Sequence, residues 1–136
     1  YIKGEYYSYS GKEQINHLIY PVPGKLSLGL HATLDLGRGI KFGPSAVETK
    51  KLDYKVEEEN KKDFLKSLQH YWPSIQAKNL SPDYSGIRAK VRGADDFNIE
   101  KLDRKNKIAI NIIGYISPGL TSSLALGLHI NNIIKE

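Results

Sequence analysis

A chain of 136 residues, 40% of them hydrophobic, is large enough for one domain-sized body and has the ordinary composition of a globular protein. It contains no run of about 18 apolar residues and no apolar segment behind a basic start, so we expect neither a membrane-spanning helix nor a signal peptide within it. The absence of cysteine excludes disulfides, thiolate nucleophiles and thiolate metal sites.

The net charge of +5 favours anionic partners, including small organic acids. The basic residues are dispersed along the sequence, and no basic stripe with interleaved aromatic residues is present. We therefore expect no nucleic-acid binding. The histidines show no metal-ligand spacing, and we predict no metal site.

The chain begins Tyr-Ile-Lys-Gly and contains no methionine. A complete natural translation product would begin with methionine. We therefore expect the chain to be part of a longer protein, or the second half of a divided gene.

The first third of the sequence has the pattern of short strands joined by turns. Residues 2–9 are rich in tyrosine and predict a strand, and residues 16–22 predict a second one with Pro21 at an edge. Residues 28–36 alternate strictly between apolar and polar side chains, which predicts a half-buried strand. Gly37-Arg38-Gly39 then predicts a hairpin that returns along residues 40–43.

The middle of the sequence predicts one amphipathic helix over residues 57–72, which Pro73 ends. Its apolar stripe, which we expect to cover one face of the sheet, consists of Phe64, Leu65, Leu68, Tyr71 and Trp72. A loop over 80–83 and strands over 84–92 and 97–102 follow.

Near the C-terminus, the β-branched run 108–113 predicts a buried strand that Gly114 ends. Ser117 and Pro118 have the residue types of an N-cap and a first helical residue, and an apolar helix follows from Leu120. We expect this helix to be buried in a larger body. Its N-terminus would offer unpaired N–H groups and a partial positive charge to an electron-rich group. Together these elements predict an α+β fold with a mainly antiparallel sheet, a covering helix and a C-terminal strand and helix.

Several segments resemble, in order, the FAD-dependent oxidoreductases of the D-amino-acid-oxidase type, and most closely the L-2-hydroxyglutarate dehydrogenase/oxidase family. The segment Gly114–Leu126 is similar to their C-terminal flavin-contact motif, although Tyr115 and Ile116 stand where the motif has Ile and Glu. Ala89 likewise replaces the proline of a Gly-Ile-Arg-Pro-Lys segment. The other matching segments are Tyr1–Tyr7, Leu18–Pro23, Leu28–Thr33 and Ser85–Lys90.

The resemblance implies two partial domains. Residues 1–92 would be most of a substrate-binding sheet domain, and residues 93–136 would return to complete the FAD-binding domain. The Gly-x-Gly-x-x-Gly that would hold the FAD pyrophosphate is absent from this sequence. We therefore expect the chain to need a partner half carrying that motif, to be inactive without it, and to self-associate through the exposed interface.

The resemblance also implies roles for particular residues. Arg88 would clamp the carboxylate of a small 2-hydroxy acid, and His31 would act as the base. Lys90 would lie on the same strand face as Arg88, and at most one of Tyr6 and Tyr7 would contact the substrate, because neighbouring strand residues face opposite ways. The helix start would stabilise reduced flavin through Gly114, Ser117, Gly119, Leu120 and Thr121.

Three interpretations remain open at this point. The first is part of an FAD-dependent enzyme that oxidises a 2-hydroxy acid such as L-2-hydroxyglutarate. The second is part of a related amine or glycerol-phosphate oxidoreductase. The third is a flavin-free binding or remnant domain. For the first we expect a cytoplasmic location, with peripheral association at the inner membrane as the alternative.

Overall fold

The computed structural model describes residues 1–22, 29–88, 90–91, 93, 96–105 and 107–135. The chain divides into two compact units, Tyr1–Arg88 and Ala89–Glu136. Residue 92 of the predicted boundary at 92/93 lies outside the described residues, and so do Leu28 and Ala89 of the sequence patterns.

The first unit is a five-stranded antiparallel sheet covered by one short helix. Its central strand β1 pairs with β5 along one edge, while β3 and β4 share the other edge, and β2 pairs with β3. The elements are β1 (Ile2–Tyr9), β2 (His31–Leu34), β3 (Ile40–Gly43), β4 (Val47–Glu48), α1 (Lys61–Leu68, preceded by the 3₁₀ turn Glu58–Asn60) and β5 (Leu80–Arg88, preceded by the 3₁₀ turn Ala77–Asn79).

The hydrophobic core of the first unit lies between the sheet and α1. The ring centroids of Tyr7 and Phe64 are 4.4 Å apart, so the helix packs directly on the central strand. The buried apolar residues are Tyr7, Ala32, Ile40, Phe42, Phe64, Leu68, Ile75 and Leu80. This arrangement confirms that a helix covers the sheet, but α1 spans Lys61–Leu68 and is shorter than the predicted 57–72. The sheet keeps a second face that α1 does not cover.

Other predicted elements also differ from the structure. Within 16–22, pairing is confined to one bridge between Ile19 and Ala32, and the predicted strand 28–36 is reduced to His31–Leu34. The predicted loop 80–83 is instead the start of β5, because the edge of β1 offers backbone partners as far as Tyr9, which pairs with Leu80. Tertiary pairing thus overrides the loop-like composition Ser-Pro-Asp.

The second unit consists of a two-stranded hairpin followed by a helix. Strands β6 (Asn98–Arg104) and β7 (Lys107–Ile113) pair antiparallel along their whole length, and α2 spans Gly119–Lys135. The predicted burial of the strand is wrong for this chain, because Ile108 on β7 is exposed. Leu120, Leu124 and Leu128 on α2 are also exposed in this chain, and burial of the helix in a larger body stays a prediction. Among the described residues of this unit, β7 pairs only with β6, and none belongs to the buried hydrophobic core.

The predicted α+β class with antiparallel sheets is confirmed. Among the described residues, neither helix combines the length and the apolar character that crossing a bilayer requires.

Candidate functional site

The sheet face opposite α1, here called the open face, collects most of the residues predicted to contact a substrate. Tyr7 pairs with Phe42 and points into the core, so Tyr6 points to the open face. On β2, His31 pairs with Gly43 and lies on the open face, one position from the buried Ala32. On β5, Arg88 pairs with Ile2 and shares the parity of Tyr6. Backbone register alone therefore puts Tyr6, His31 and Arg88 on one side of the sheet.

Tyr7 is not part of this face. Its side chain is fully buried, its ring packs on Phe64, and its hydroxyl donates to the backbone carbonyl of Glu57. A direct substrate contact by Tyr7 is therefore excluded on the open face, and of the two adjacent tyrosines Tyr6 is the candidate.

Tyr6 forms a stacked pair with Tyr84 on the neighbouring strand. The ring centroids are 4.5 Å apart and the planes are inclined by 13°. The Lys41 ammonium lies 5.3 Å from the Tyr84 ring centroid and is itself paired with Asp83 at 2.6 Å. Sequence reasoning missed Tyr84, although Tyr84 and Arg88 are four residues apart on one strand and alternation alone puts them on the same face.

The phenol of Tyr6 is a hydrogen-bond donor at neutral pH. Burial raises its pKa above the ordinary value, Tyr84 and Tyr20 raise it further, and the positive charge of Arg88 opposes them by lowering it. Because the net effect is upward, Tyr6 stays protonated and does not serve as a base near pH 7. Arg88 and Tyr20 are therefore both close enough to Tyr6 to act on its phenol electrostatically.

Arg88 is half-buried at the end of β5, and no carboxylate or other hydrogen-bond acceptor among the described residues contacts its guanidinium. Several lysines of the same unit do have carboxylate partners, as Lys3 has Glu5 and Lys41 has Asp83. A guanidinium favours an anionic partner, and it offers two parallel N–H groups suited to a carboxylate.

His31 is buried and its ring centroid lies 3.9 Å from that of Tyr20. Strands β3 and β1 separate β2 from β5, and the strand registers offset His31 from Arg88 by about four residues along the strands, so their backbones are roughly 20 Å apart. In the strand order, β1 with Tyr6 lies between the strands of His31 and Arg88, and the structure does not make His31 and Arg88 direct neighbours.

Lys90 differs from its prediction. Strand β5 ends at Arg88, so the alternation that would align Lys90 with Arg88 does not extend to it. Lys90 is exposed.

In the second unit, the predicted flavin-contact segment forms the turn before α2 and the start of that helix. Gly114 adopts φ 72°, a conformation that favours glycine, directly after β7. The Ser122 N–H donates to the Pro118 carbonyl at 3.0 Å, so Pro118 occupies the N-cap position and the predicted cap, Ser117, lies outside the helix. The predicted helix start was one residue too early.

The first turn of α2 has two open donors. Gly119 N–H donates to the Ile116 carbonyl at 2.5 Å, whereas the N–H groups of Leu120 and Thr121 have no acceptor among the described residues. Tyr115 covers Gly119, whose carbonyl accepts a hydrogen bond from the Tyr115 hydroxyl. Residues 115–121 line a concave space of about 410 Å³. An electron-rich group could be held there by two backbone donors at the positive end of a 17-residue helix.

Comparison with known proteins gives a family match over nearly the whole chain. The model of the family described as "FAD dependent oxidoreductase" matches residues 1–132. The chain is 36% identical to the mitochondrial L-2-hydroxyglutarate dehydrogenase of Arabidopsis thaliana, over 97% of this chain and 31% of that protein.

More distant relatives are similar over comparable shares of the chain. Identity is 29% to the L-2-hydroxyglutarate dehydrogenase of Indibacter alkaliphilus, over 92% of this chain and 41% of that protein. It is 27% to the glycerol 3-phosphate dehydrogenase of Caloramator mitchellensis, over 90% of this chain and 25% of that protein. The chain therefore spans roughly a third of the length of the curated relatives it matches.

Proposed function

This chain belongs to the FAD-dependent oxidoreductase family, and we propose on that basis that it is part of an enzyme oxidising a small 2-hydroxy acid such as L-2-hydroxyglutarate. The proposal is supported by the two relatives at 36% and 29% identity whose names specify that substrate. In this proposal the first unit holds the substrate, and the start of α2 in the second unit meets the cofactor.

The observation that carries the proposal is the environment of Arg88. Arg88 is half-buried, its guanidinium has no carboxylate partner among the described residues, and it lies on the same sheet face as the donor Tyr6. Arg88 would bind the substrate carboxylate through two parallel hydrogen bonds, and Tyr6 would donate a further hydrogen bond to a substrate oxygen. Lys90 keeps, at most, an electrostatic role.

Oxidation of a 2-hydroxy acid also requires a proton acceptor for the hydroxyl group. We assign that role to His31, whose imidazole lies on the open face and suits proton transfer near neutral pH. Because His31 and Arg88 are not neighbours, we propose that the proton reaches His31 through an intervening water. Two single substitutions separate the roles of His31 and Tyr6. His31→Asn removes the base and should alter the pH profile of the rate, whereas Tyr6→Phe removes the hydroxyl and should weaken substrate binding.

The residues at the start of α2 fit one part of FAD. Bound FAD would accept the hydride that leaves the substrate Cα. The open N–H groups of Leu120 and Thr121 would face the ring edge that becomes negative, as Gly114 and Gly119 shape the turn. The pyrophosphate-binding Gly-x-Gly-x-x-Gly is not in this sequence. We therefore propose that an additional nucleotide-binding portion completes the cofactor site.

The exposed apolar side chains of α2 support the proposal of an additional nucleotide-binding portion. Leu120, Leu124 and Leu128 recur at every fourth residue and form one exposed stripe. We propose that the nucleotide-binding portion covers this stripe. A cytoplasmic location stays a prediction.

Titration of the chain with L-2-hydroxyglutarate, followed by NMR chemical shifts, tests the carboxylate clamp. We expect Arg88→Ala to weaken binding on the order of 100-fold, because the anion loses its charged partner, and Arg88→Lys to restore part of it. Lys66→Ala, which removes an exposed lysine from α1, is the charge-matched control and should bind like the unchanged chain. Equal binding by Arg88→Ala and Lys66→Ala would remove the basis of the proposal.

The glycerol 3-phosphate dehydrogenase relative supports one alternative substrate. Glycerol 3-phosphate in the same titration distinguishes the two, because an arginine binds phosphate as well as carboxylate. Tighter binding of the phosphate ester would favour the alternative.

A further inference from the structure

Gly86 is a glycine that the fold itself does not require. Its φ does not lie in the left-handed region, and a Cβ built on it would meet no atom within 4 Å. It lies in the interior of β5, where glycine weakens a strand because it has no side chain to pack and the most backbone freedom to lose.

Two neighbouring glycines have clear structural reasons, which sets Gly86 apart. A Cβ on Gly4, the pairing partner of Gly86, would lie 2.9 Å from the Cβ of Pro44. Gly43 has a φ of +148°, and a Cβ there would lie 2.6 Å from the Glu5 carbonyl oxygen. At Gly86 there is instead exposed, empty space. Glycine in a strand interior often marks a close approach by a ligand or by another backbone.

The position of Gly86 favours a ligand. It lies midway between Tyr84 and Arg88 on the open face, about 7 Å along the strand from each. The half-buried residue Arg88 lies at one end of this stretch, and the stacked pair of Tyr6 and Tyr84 lies at the other. The missing side chain therefore creates a notch with a cationic end and an aromatic end.

We propose that Gly86 is a specificity-determining residue and forms the floor of the notch that receives the carbon chain of the acid. With the carboxylate at Arg88, the atoms beyond the 2-carbon lie over the Gly86 backbone and extend towards the Tyr6–Tyr84 stack. The notch thus admits 2-hydroxy acids with a tail of several atoms. This inference rests on the proposed role of Arg88.

A series of 2-hydroxy acids with increasing tails tests the notch: glycolate, lactate, 2-hydroxybutyrate and L-2-hydroxyglutarate. Binding to the chain is measured by NMR titration for Gly86→Val and Gly86→Ala. We expect Gly86→Val to weaken L-2-hydroxyglutarate binding at least about tenfold and to leave glycolate within about twofold, with Gly86→Ala intermediate. Ser81→Val, which introduces the same side chain at an exposed position of β5 outside the notch, should change the binding of neither glycolate nor L-2-hydroxyglutarate.

Melting temperatures of the same variants separate an effect on folding from an effect on ligand binding. We expect the melting temperatures of both variants to match or exceed that of the unchanged chain, because the Cβ meets nothing and β-branched residues suit a strand. An equal loss of binding for every acid of the series, or no loss for any of them, would overturn the notch proposal. If the unchanged chain binds no acid, or Arg88→Ala changes nothing, the proposed function fails as well. Should Gly86→Val not fold, Gly86→Ala alone must still show the size-graded loss.

Discussion

At the scale of single residues, Tyr6 and Tyr7 show how one step along a strand separates a functional position from a structural one. Tyr7 is fully buried and its hydroxyl donates to Glu57, whereas Tyr6 stacks on Tyr84 at the open face. Burial, followed by the negative charge of Glu5, raises the pKa of Tyr7 to about 12. Both effects favour the neutral phenol in the folded chain.

The raised pKa of Tyr7 predicts a loss of stability in alkali. Because the folded-state pKa lies above the ordinary value of 10.0, the contribution is fully present below pH 10 and disappears between pH 10 and 12, as the unfolded chain ionises first. We expect melting temperatures recorded by circular dichroism to fall over that interval. Burial raises the pKa values of Tyr9 and Tyr71 to about 12 as well, so they contribute in the same direction.

Tyr7→Phe isolates the contribution of one phenol. At neutral pH the variant should be less stable by about 1 kcal/mol, because the hydrogen bond to Glu57 is lost. Between pH 10 and 12 the difference from the unchanged chain should shrink, since only the latter has this phenol to ionise. The exposed Tyr54→Phe is the control and should be neutral throughout. A pH-independent difference for Tyr7→Phe would contradict the assignment.

Sequence alternation could state that Tyr6 and Tyr7 face opposite ways, but not which one faces the core. That choice depends on α1 packing on the side of Tyr7, a contact across more than 50 residues of sequence. His31 was predicted on the polar face and lies there, yet it is buried, because Tyr20 packs on its ring. Local pattern gives the face, and tertiary contacts decide the exposure.

At the scale of elements, α1 provides the cover of the first unit. Leu68→Ala should lower the free energy of unfolding by roughly 2–5 kcal/mol, because it opens a cavity under a fully buried side chain. Urea denaturation measures the loss, and Lys66→Ala on the exposed side of the helix should stay within about 0.5 kcal/mol of the unchanged chain. A small effect of Leu68→Ala would mean that α1 is not held on the sheet.

Helix α2 is the element whose predicted cover is not supplied by this chain. Its apolar composition indicated burial, yet within its own unit Leu120 and Leu124 are 91% and 89% exposed. The apolar face of a helix sequence predicts that another element packs against it, but does not indicate whether the same chain provides that element.

This exposed stripe predicts self-association of the chain. Sedimentation velocity at increasing concentration should show growing species, and Leu120→Gln with Leu124→Gln should shift the chain towards monomer. Replacing Asn131 and Asn132 by Gln, which leaves apolar area on α2 unchanged, is the control. Equal association of both variants would place the contact elsewhere.

At the scale of the whole molecule, the family was recognisable from sequence because several short motifs occur in the right order, and the match over residues 1–132 confirms it. The α+β class followed from strand patterns. The notch at Gly86 could not be predicted, because the empty space depends on the register of β5 against β1 and on the stacking of Tyr84. The bulge between Glu5 and Tyr7 in that pairing has no sequence signature that we recognise.

The central claim is that Arg88 holds a 2-hydroxy acid for oxidation by bound FAD. The direct measurement combines this chain with a nucleotide-binding portion and FAD, adds L-2-hydroxyglutarate without oxygen, and follows the visible flavin absorption. We predict rapid bleaching for the unchanged chain and for Lys66→Ala, and bleaching slowed on the order of 100-fold for Arg88→Ala. Bleaching that is as fast with Arg88→Ala, or absent from a flavin-loaded unchanged protein, would contradict the claim.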